Sequence, residues 1–246
     1  MTIETSLIEL FASVQGEGPL VGCAQVFVRF ARCNLACRYC DTPVQPVPLA
    51  RVERTPGRRD FFSVANPVTA AEASRLVRAF GLEFCHSVVL TGGEPLLQEG
   101  FLREFLPLVG GSRHGVYLET NGTLPDALAG VLDLVTFIAA DVKLPLTSGT
   151  GPLWEEHRRF LSLAGKKTLF VKAVIGGRTG QDEVDRLVDL VAEVCPNAVL
   201  VLQPVTPVGG VPPVDPAAAL AFQRRALARL GDVRLIPQTH HVMGQL

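Results

Sequence analysis

The chain has 246 residues, of which 48% are hydrophobic and 19% charged, a globular balance that excludes a disordered chain. Its 23 basic and 24 acidic residues leave a formal net charge of −1, which argues against a nucleic-acid clamp. No apolar run approaches the roughly 20 residues of a membrane span. The opening MTIETSLIEL lacks the basic-then-apolar order of a signal peptide, so a cytoplasmic protein is expected.

In chain order, short runs rich in Val, Ile, Leu and Phe predict strands at 24–30, 87–90, 116–118, 135–140, 168–175, 198–202 and 233–236. Amphipathic stretches between them predict helices at 69–80, 101–109, 124–132, 153–163, 182–194 and 216–230. Thr69 and Glu72 form a capping-box pattern, and Ala73, Leu76, Val77 and Phe80 keep helical spacing behind it. Strands alternating with helices predict an α/β fold with a parallel sheet. Polar groups follow nearly every strand: the cysteines after the first, Thr91-Gly92-Gly93-Glu94 after the second and Glu119-Thr120-Asn121-Gly122 after the third. Asp141 and Lys143 close the fourth, Lys172 lies in the fifth, Gln203 ends the sixth, and Gln238 and His240 follow the seventh. Such ends share one face, and polar groups on so many of them suit a barrel-like wall around a substrate better than an open sheet with one switch point. Length and pattern suit one domain over 1–246. The stretch 43–67, rich in Pro and Arg and without clear periodicity, is expected to be a flap beside the site, with a plain surface loop as the alternative.

Six cysteines occur, three of them within eight residues as Cys33-x3-Cys37-x2-Cys40. Cys23, Cys85 and Cys195 read as small buried hydrophobes. Three thiolates on one short loop can wrap a soft metal centre. A zinc knuckle would want a fourth ligand nearby, and none is present. Iron–sulfur clusters usually take four thiolates, so three leave one iron open to a substrate or cofactor. A structural zinc, and cysteines placed by chance, stand as alternatives.

The cysteine spacing with Tyr39 before the last ligand, together with Gly92-Gly93-Glu94-Pro95, resembles the radical S-adenosylmethionine superfamily. Ser13-Val14-Gln15-Gly16-Glu17-Gly18, Arg29, Asp41-Thr42 after the third cysteine, Glu119-Thr120-Asn121-Gly122 and Gln238-Thr239-His240 narrow it. The chain is similar to the 7-carboxy-7-deazaguanine synthase family from residue 7 onward, with 43–67 unmatched. The resemblance implies a radical SAM core, an incomplete βα TIM-type barrel of the β6/α3 kind. It also implies ring contraction of 6-carboxy-5,6,7,8-tetrahydropterin to 7-carboxy-7-deazaguanine with loss of ammonia, on the route to queuosine.

The implied cofactors are a 4Fe–4S cluster on Cys33, Cys37 and Cys40, S-adenosylmethionine, and Mg2+ on Thr42. Glu94 would accept a hydrogen bond from the methionine amine, and Gly92 and Gly93 would allow close backbone approach. Tyr39, Asp41, Asp141, Lys143 and Gln203 would complete the cofactor site, with Asp141-Val142-Lys143 standing where the family has Ser-Pro-Lys. Val14, Gln15, Gly16, Glu17, Arg29, Thr91, Asn121, His240 and Leu246 would bind the pterin. Segment 1–23 would read the substrate, and a tail at 237–246 would close over it. Residues added after Leu246 are expected to impair turnover. Alternation places Arg29 on the face with Phe27, where a charge wants an anionic partner: a ligand carboxylate or a buried salt bridge. An external flavodoxin or ferredoxin-like electron donor and a homodimer are expected, with no nucleic-acid or membrane partner. The rival readings are an activase that makes a glycyl radical on a partner protein, which would not need Gln15–Glu17, and a non-enzymatic iron–sulfur or zinc module.

Overall fold

The computed structural model describes residues 3–206 and 210–246. In chain order, β1 (Glu4–Thr5), β2 (Leu7–Val14) and β3 (Ala24–Phe30) precede a hairpin of β4 (Leu49–Glu53) and β5 (Phe61–Ala65). β6 (Val68–Thr69) pairs with β1 and leads into α1 (Ala70–Arg78), which starts where predicted because Thr69 Oγ1 accepts the Glu72 N–H at 3.2 Å. Strands and helices then alternate: β7 (Ser87–Gly92), α2 (Glu99–Phe105), β8 (Val116–Thr120), α3 (Pro125–Val131) and β9 (Phe137–Asp141). The short α4 (Pro145–Ser148) and α5 (Trp154–Ala164) lead to β10 (Thr168–Ile175), α6 (Gln181–Val194), β11 (Val199–Pro204), α7 (Pro216–Leu227), β12 (Val233–Leu235) and α8 (Thr239–Val242).

The seven predicted strands are β3 and β7 to β12, and they pair in parallel in that order. Three further strands extend the sheet beyond β3, in the order β2, β4, β5. The outermost strands, β12 and β5, do not meet, so the wall is the incomplete barrel expected of an α/β radical SAM core. No helix among the described residues is long and apolar enough to cross a membrane.

Two parts of the sheet were not legible as strands. β2 lies in the stretch read only as a substrate-reading segment. β4 and β5 occupy the stretch 43–67, which has more regular structure than a bare loop. Proline and arginine mask the pattern there, yet Ala50 and Val52 are buried in the core while Leu49 and Arg51, which alternate with them, are exposed. Cys85 and Cys195 are buried as expected, whereas Cys23 is only half-buried.

Period-two alternation sorts six of the parallel strands, β3 and β7 to β11. Val26, Val28 and Phe30, Val88 and Leu90, Leu118, Ile138 and Ala140, Val171 and Ala173, and Leu200 and Leu202 pack outward among the helices. Their alternates face inward. Along the strands these inward residues change from apolar to polar in a single two-residue step: Phe27 to Arg29, Val89 to Thr91, Tyr117 to Glu119, Ala139 to Asp141, Phe170 to Lys172 and Val201 to Gln203. The apolar half stacks as a plug, with Phe11 and Phe27 parallel at 5.0 Å. The polar half rings the C-terminal ends of the strands.

Behind this wall, Phe101 of α2 meets Phe30 edge-on at 6.0 Å and stacks on Phe105 at 5.4 Å. Phe101→Ala is expected to cost about 3–5 kcal/mol, read as a lower urea midpoint at unchanged slope.

Candidate active site

The polar ring surrounds a cavity of about 500 Å³. That is the size of a small-molecule site. Glu17, in the loop after β2, is its hub. Glu17 Oε2 is ion-paired with Lys172 of β10, and Oε1 accepts Gln203 Nε2 of β11 at 3.1 Å and Gln238 Nε2 of the tail at 2.8 Å. Burial opposes the Glu17 charge, but Lys172 and the amides prevail and hold its pKa at about 2. Lys172 also lies 3.3 Å from Asp141 Oδ2, which Lys143 Nζ meets at 2.8 Å. Burial works against both lysines, yet the carboxylates beside them keep them protonated.

Gln15 donates to Glu119 Oε1 at 2.9 Å and to Gln25 Oε1 at 3.0 Å, and Thr91 donates to Glu119 Oε2 at 2.7 Å. Burial and the neighbouring Glu17 raise the pKa of Glu119. Arg29 donates through Nε to Glu9 at 2.9 Å, and Arg51 of β4 meets the other oxygen of Glu9 at 2.5 Å. The Arg29 guanidinium lies over the Phe11 ring at 5.6 Å, and its Nη atoms make no hydrogen bond among the described residues. Arg29 therefore faces the cavity side with Phe27, as alternation predicts, and its protein partner is a salt bridge.

The tail covers this ring. Thr239 donates to the Gly16 carbonyl from its N–H at 2.8 Å and from its hydroxyl at 3.1 Å. A Cβ on Gly16 would stand 2.1 Å from His240 Nδ1, so His240 requires glycine beneath it. Leu246 packs on the aromatic plug, and Arg59 of the β4–β5 hairpin donates to the Gly244 carbonyl at 2.8 Å.

Cys33, Cys37 and Cys40 line one mouth of the same cavity, and all three thiols are free. Burial pushes the Cys37 thiol up to about 11. Among the described residues no three His, Cys, Asp or Glu side chains form a finished metal cage. The donor set itself, three thiols of one short loop facing one cavity with Lys143 near Cys33 and Cys37, fits a soft, cationic centre that would make the thiolate favourable. Asn121 fixes the loop, donating to Asn34 Oδ1 at 2.8 Å and to Cys33 Sγ at 3.8 Å. It also lines the cavity, together with the other residues read as pterin contacts.

Gly92 and Gly93 line the cavity and allow a close approach of backbone, Gly92 to Phe30 at the end of β3 and Gly93 to Arg32 at the start of the cysteine loop. Gly92 has φ +124°, and a Cβ on Gly93 would sit 1.8 Å from the Arg32 carbonyl oxygen. Glu94 is fully buried just behind the cavity wall. It accepts from Thr120 Oγ1 at 2.9 Å, the Leu96 N–H at 3.1 Å and the Asn121 N–H at 2.7 Å, while burial raises its pKa to about 7. Here it braces the ends of β7 and β8 and does not reach into the cavity.

Val14, Tyr39, Asp41 and Thr42 line the cavity, with Thr42 Oγ1 3.3 Å from Asp41 Oδ1 and the Tyr39 ring 5.4 Å from Lys143 Nζ. Two polar atoms of the wall, Asp141 Oδ1 and Gln203 Oε1, are buried with no hydrogen-bond partner among the described residues, which leaves them free to accept from a ligand. The residues that sequence reasoning missed are Glu9, whose role depends on the unrecognised β2 and β4, and His157, which has no motif around it. His157 is 1% exposed on α5. Its Nδ1 meets the Gly122 carbonyl at 3.1 Å and its Nε2 accepts the Lys143 N–H at 3.1 Å, which ties the loop after β8 to the loop after β9.

A model of the radical SAM superfamily matches residues 27–202. The 7-carboxy-7-deazaguanine synthase of Geobacter sulfurreducens is 46% identical over 245 residues, covering 98% of this chain and 97% of that protein. The chain belongs to the 7-carboxy-7-deazaguanine synthase family. Another synthase so named, from Methanothermobacter thermautotrophicus, is 32% identical over 97% of this chain and 96% of its own length. The crystal structure of QueE from Escherichia coli shares the fold, with a TM-score of 0.59 over 96% of this chain and 95% of that one at 21% identity. Membership of the radical SAM superfamily brings a 4Fe–4S cluster and S-adenosylmethionine as cofactors.

Two outcomes follow from the packing around the cysteine loop. Gly93→Ala is expected to destabilise the chain by at least about 2 kcal/mol, because the obstacle is backbone, and to lower iron retention after reconstitution. Burial, and then Lys143, hold the pKa of His157 at about 4, against a usual 6.5. A lowered histidine pKa stabilises the fold above pH 6.5, and that stability is lost as pH falls toward 4. The difference in unfolding free energy between the natural chain and His157→Gln should therefore shrink by about 3 kcal/mol over that window, measured by urea titrations at stepped pH.

Proposed function

We propose that this chain converts 6-carboxy-5,6,7,8-tetrahydropterin to 7-carboxy-7-deazaguanine with loss of ammonia, as a radical SAM ring-contracting enzyme of 7-deazapurine biosynthesis. The observation that carries this reading is one cavity faced by the cysteine loop, the Gln15–Glu17 pair, Arg29 and the His240 tail. Cys33, Cys37 and Cys40 would hold the cluster. When bound, the cluster and S-adenosylmethionine together supply the carbon-centred radical that abstracts a substrate hydrogen. Asp141 Oδ1 and Gln203 Oε1 would take the cofactor's hydrogen-bond donors, with Tyr39, Asp41 and Lys143 beside them and Gly92, Gly93 and Glu94 holding the wall behind.

Glu17 is ionised at neutral pH and currently holds an ammonium and two amide donors. The amino and N–H edge of a pterin offers donors of the same kind, and Gln15 would read that edge alongside it. Glu9 keeps the Arg29 guanidinium turned so that its Nη atoms can pair with the substrate carboxylate. Thr42 would contribute a hydroxyl to a magnesium ion completed by substrate oxygens and water. Val14, Gly16, Thr91, Asn121, His240 and Leu246 would shape and close the pocket. An external one-electron donor, a homodimer and a cytoplasmic setting complete the reading.

The test is anaerobic: reconstitute the cluster, reduce it with dithionite, add S-adenosylmethionine, Mg2+ and the pterin, and follow product by mass spectrometry. Formation of 7-carboxy-7-deazaguanine without proportional loss of S-adenosylmethionine is expected, and the rate should fall when Mg2+ is withheld. Glu17→Gln should lower kcat/KM for the pterin by about 100-fold or more, because Lys172 loses its partner and the substrate loses its acceptor. Release of 5′-deoxyadenosine without the deazaguanine would reject the substrate.

A further inference from the structure

The stretch 43–67 carries the β4–β5 hairpin, and the hairpin reaches the site at two places. On one side Arg51 of β4 holds the Glu9 carboxylate that also holds Arg29. On the other, the exposed turn between the two strands meets the tail, where Arg59 Nη2 donates to the Gly244 carbonyl at 2.8 Å.

The turn is built to aim that side chain. Arg59 has φ +57°, in the left-handed region that a long side chain rarely adopts. Its N–H donates to Glu53 Oε1 at 2.9 Å, and Glu53 Oε2 accepts the Ala12 N–H of β2 at 3.2 Å. Glu53 is only 2% exposed. A buried carboxylate thus ties the turn to the sheet and keeps Arg59 in a conformation it would not otherwise favour. Asp60 closes the turn from its other side, accepting the Thr55 N–H and hydroxyl, each at 2.8 Å. Strain held in place by a buried acid points to a task for the residue so held.

That task lies in the tail. Gln238 and Thr239 anchor its start on Glu17 and Gly16. Beyond α8, Gly244 turns the chain at φ +63°, and Gln245 and Leu246 return to the cavity wall. Among the described residues, the groups outside the tail that hydrogen-bond residues 243–246 are Arg59 and Ser13, and both Ser13 contacts are long, at 3.4 Å. The arginine is therefore the firmer of the two grips on the last turn of the chain.

We propose that Arg59 is a positioning residue, the latch that keeps residues 244–246 closed over the pterin, an inference that rests on the synthase reading above. The pterin passes the tail when the latch is open, and the Arg59–Gly244 bond then holds Gln245 and Leu246 in the wall around it. Arg59 touches no reacting atom, so its loss weakens the hold on substrate and spares the chemical step.

Arg59 is exposed, so Arg59→Ala removes the grip without opening the core. Hydrogen exchange read by mass spectrometry on the chain without substrate should show the amides of Met243, Gly244 and Gln245, bonded within the tail, exchanging about tenfold faster at an unchanged urea midpoint. In the dithionite-driven assay the KM for the pterin should rise about tenfold, the loss of one charge-assisted hydrogen bond, with kcat within about twofold. Arg59→Lys can still donate to the carbonyl and should recover most of both losses. Unaltered tail exchange, or an unaltered KM, in Arg59→Ala overturns the proposal. So does a fall in kcat with a lower urea midpoint that Arg59→Lys does not rescue, which would make Arg59 a structural residue. If the natural chain makes no deazaguanine, the synthase reading falls, and the exchange comparison alone decides whether Arg59 holds the tail.

Discussion

The ion pair between Glu17 and Lys172 joins everything around the cavity. It links the loop after β2 to β10, and through Gln203 and Gln238 it reaches β11 and the tail. Two charges this far from bulk water are costly unless each is matched. Asp141 and Lys143 extend the match, so two carboxylates and two ammonium groups balance within one wall. A balanced wall suits ligands of opposite sign, a sulfonium-bearing cofactor and a carboxylate-bearing substrate. Neither must displace a large excess of like charge to enter.

Much of the fold was legible because its signals are local. Each of the seven parallel strands is a short apolar run, and Thr69 with Glu72 marks its helix by a bond that forms in the structure. The strands that were missed belong to the other kind. β2 carries among its apolar residues Glu9, which lines the cavity, and Ser13, which meets the tail, and β4 hides two core residues in a segment dominated by Arg and Pro. Such edges are defined by what they pair with, which no window of sequence contains.

The site divides in the same way. Cysteine spacing, Gly-Gly-Glu and Gln-Gly-Glu-Gly could be singled out because each crowds its residues into a few consecutive positions. Glu9 and His157 could not, since each acts through partners far away in the chain: Arg29 and Arg51 for one, Gly122 and Lys143 for the other. The glycines show a subtler gap. Their need for space was legible, but only the fold shows that Phe30 and Arg32 take up part of it.

The inward step from apolar to polar along each strand limits how such an enzyme can diversify. A one-residue insertion within β3 would send Arg29 into the helical layer and Phe30 into the cavity, and the same reversal would strike any of its neighbours. New chemistry on this wall therefore has to arise by exchanging alternate side chains one at a time. Changes of length are left to connections such as the β4–β5 hairpin. Even there the freedom is partial, since Arg59 grips the tail that roofs the pocket. A lineage that remodels the hairpin must settle the roof again.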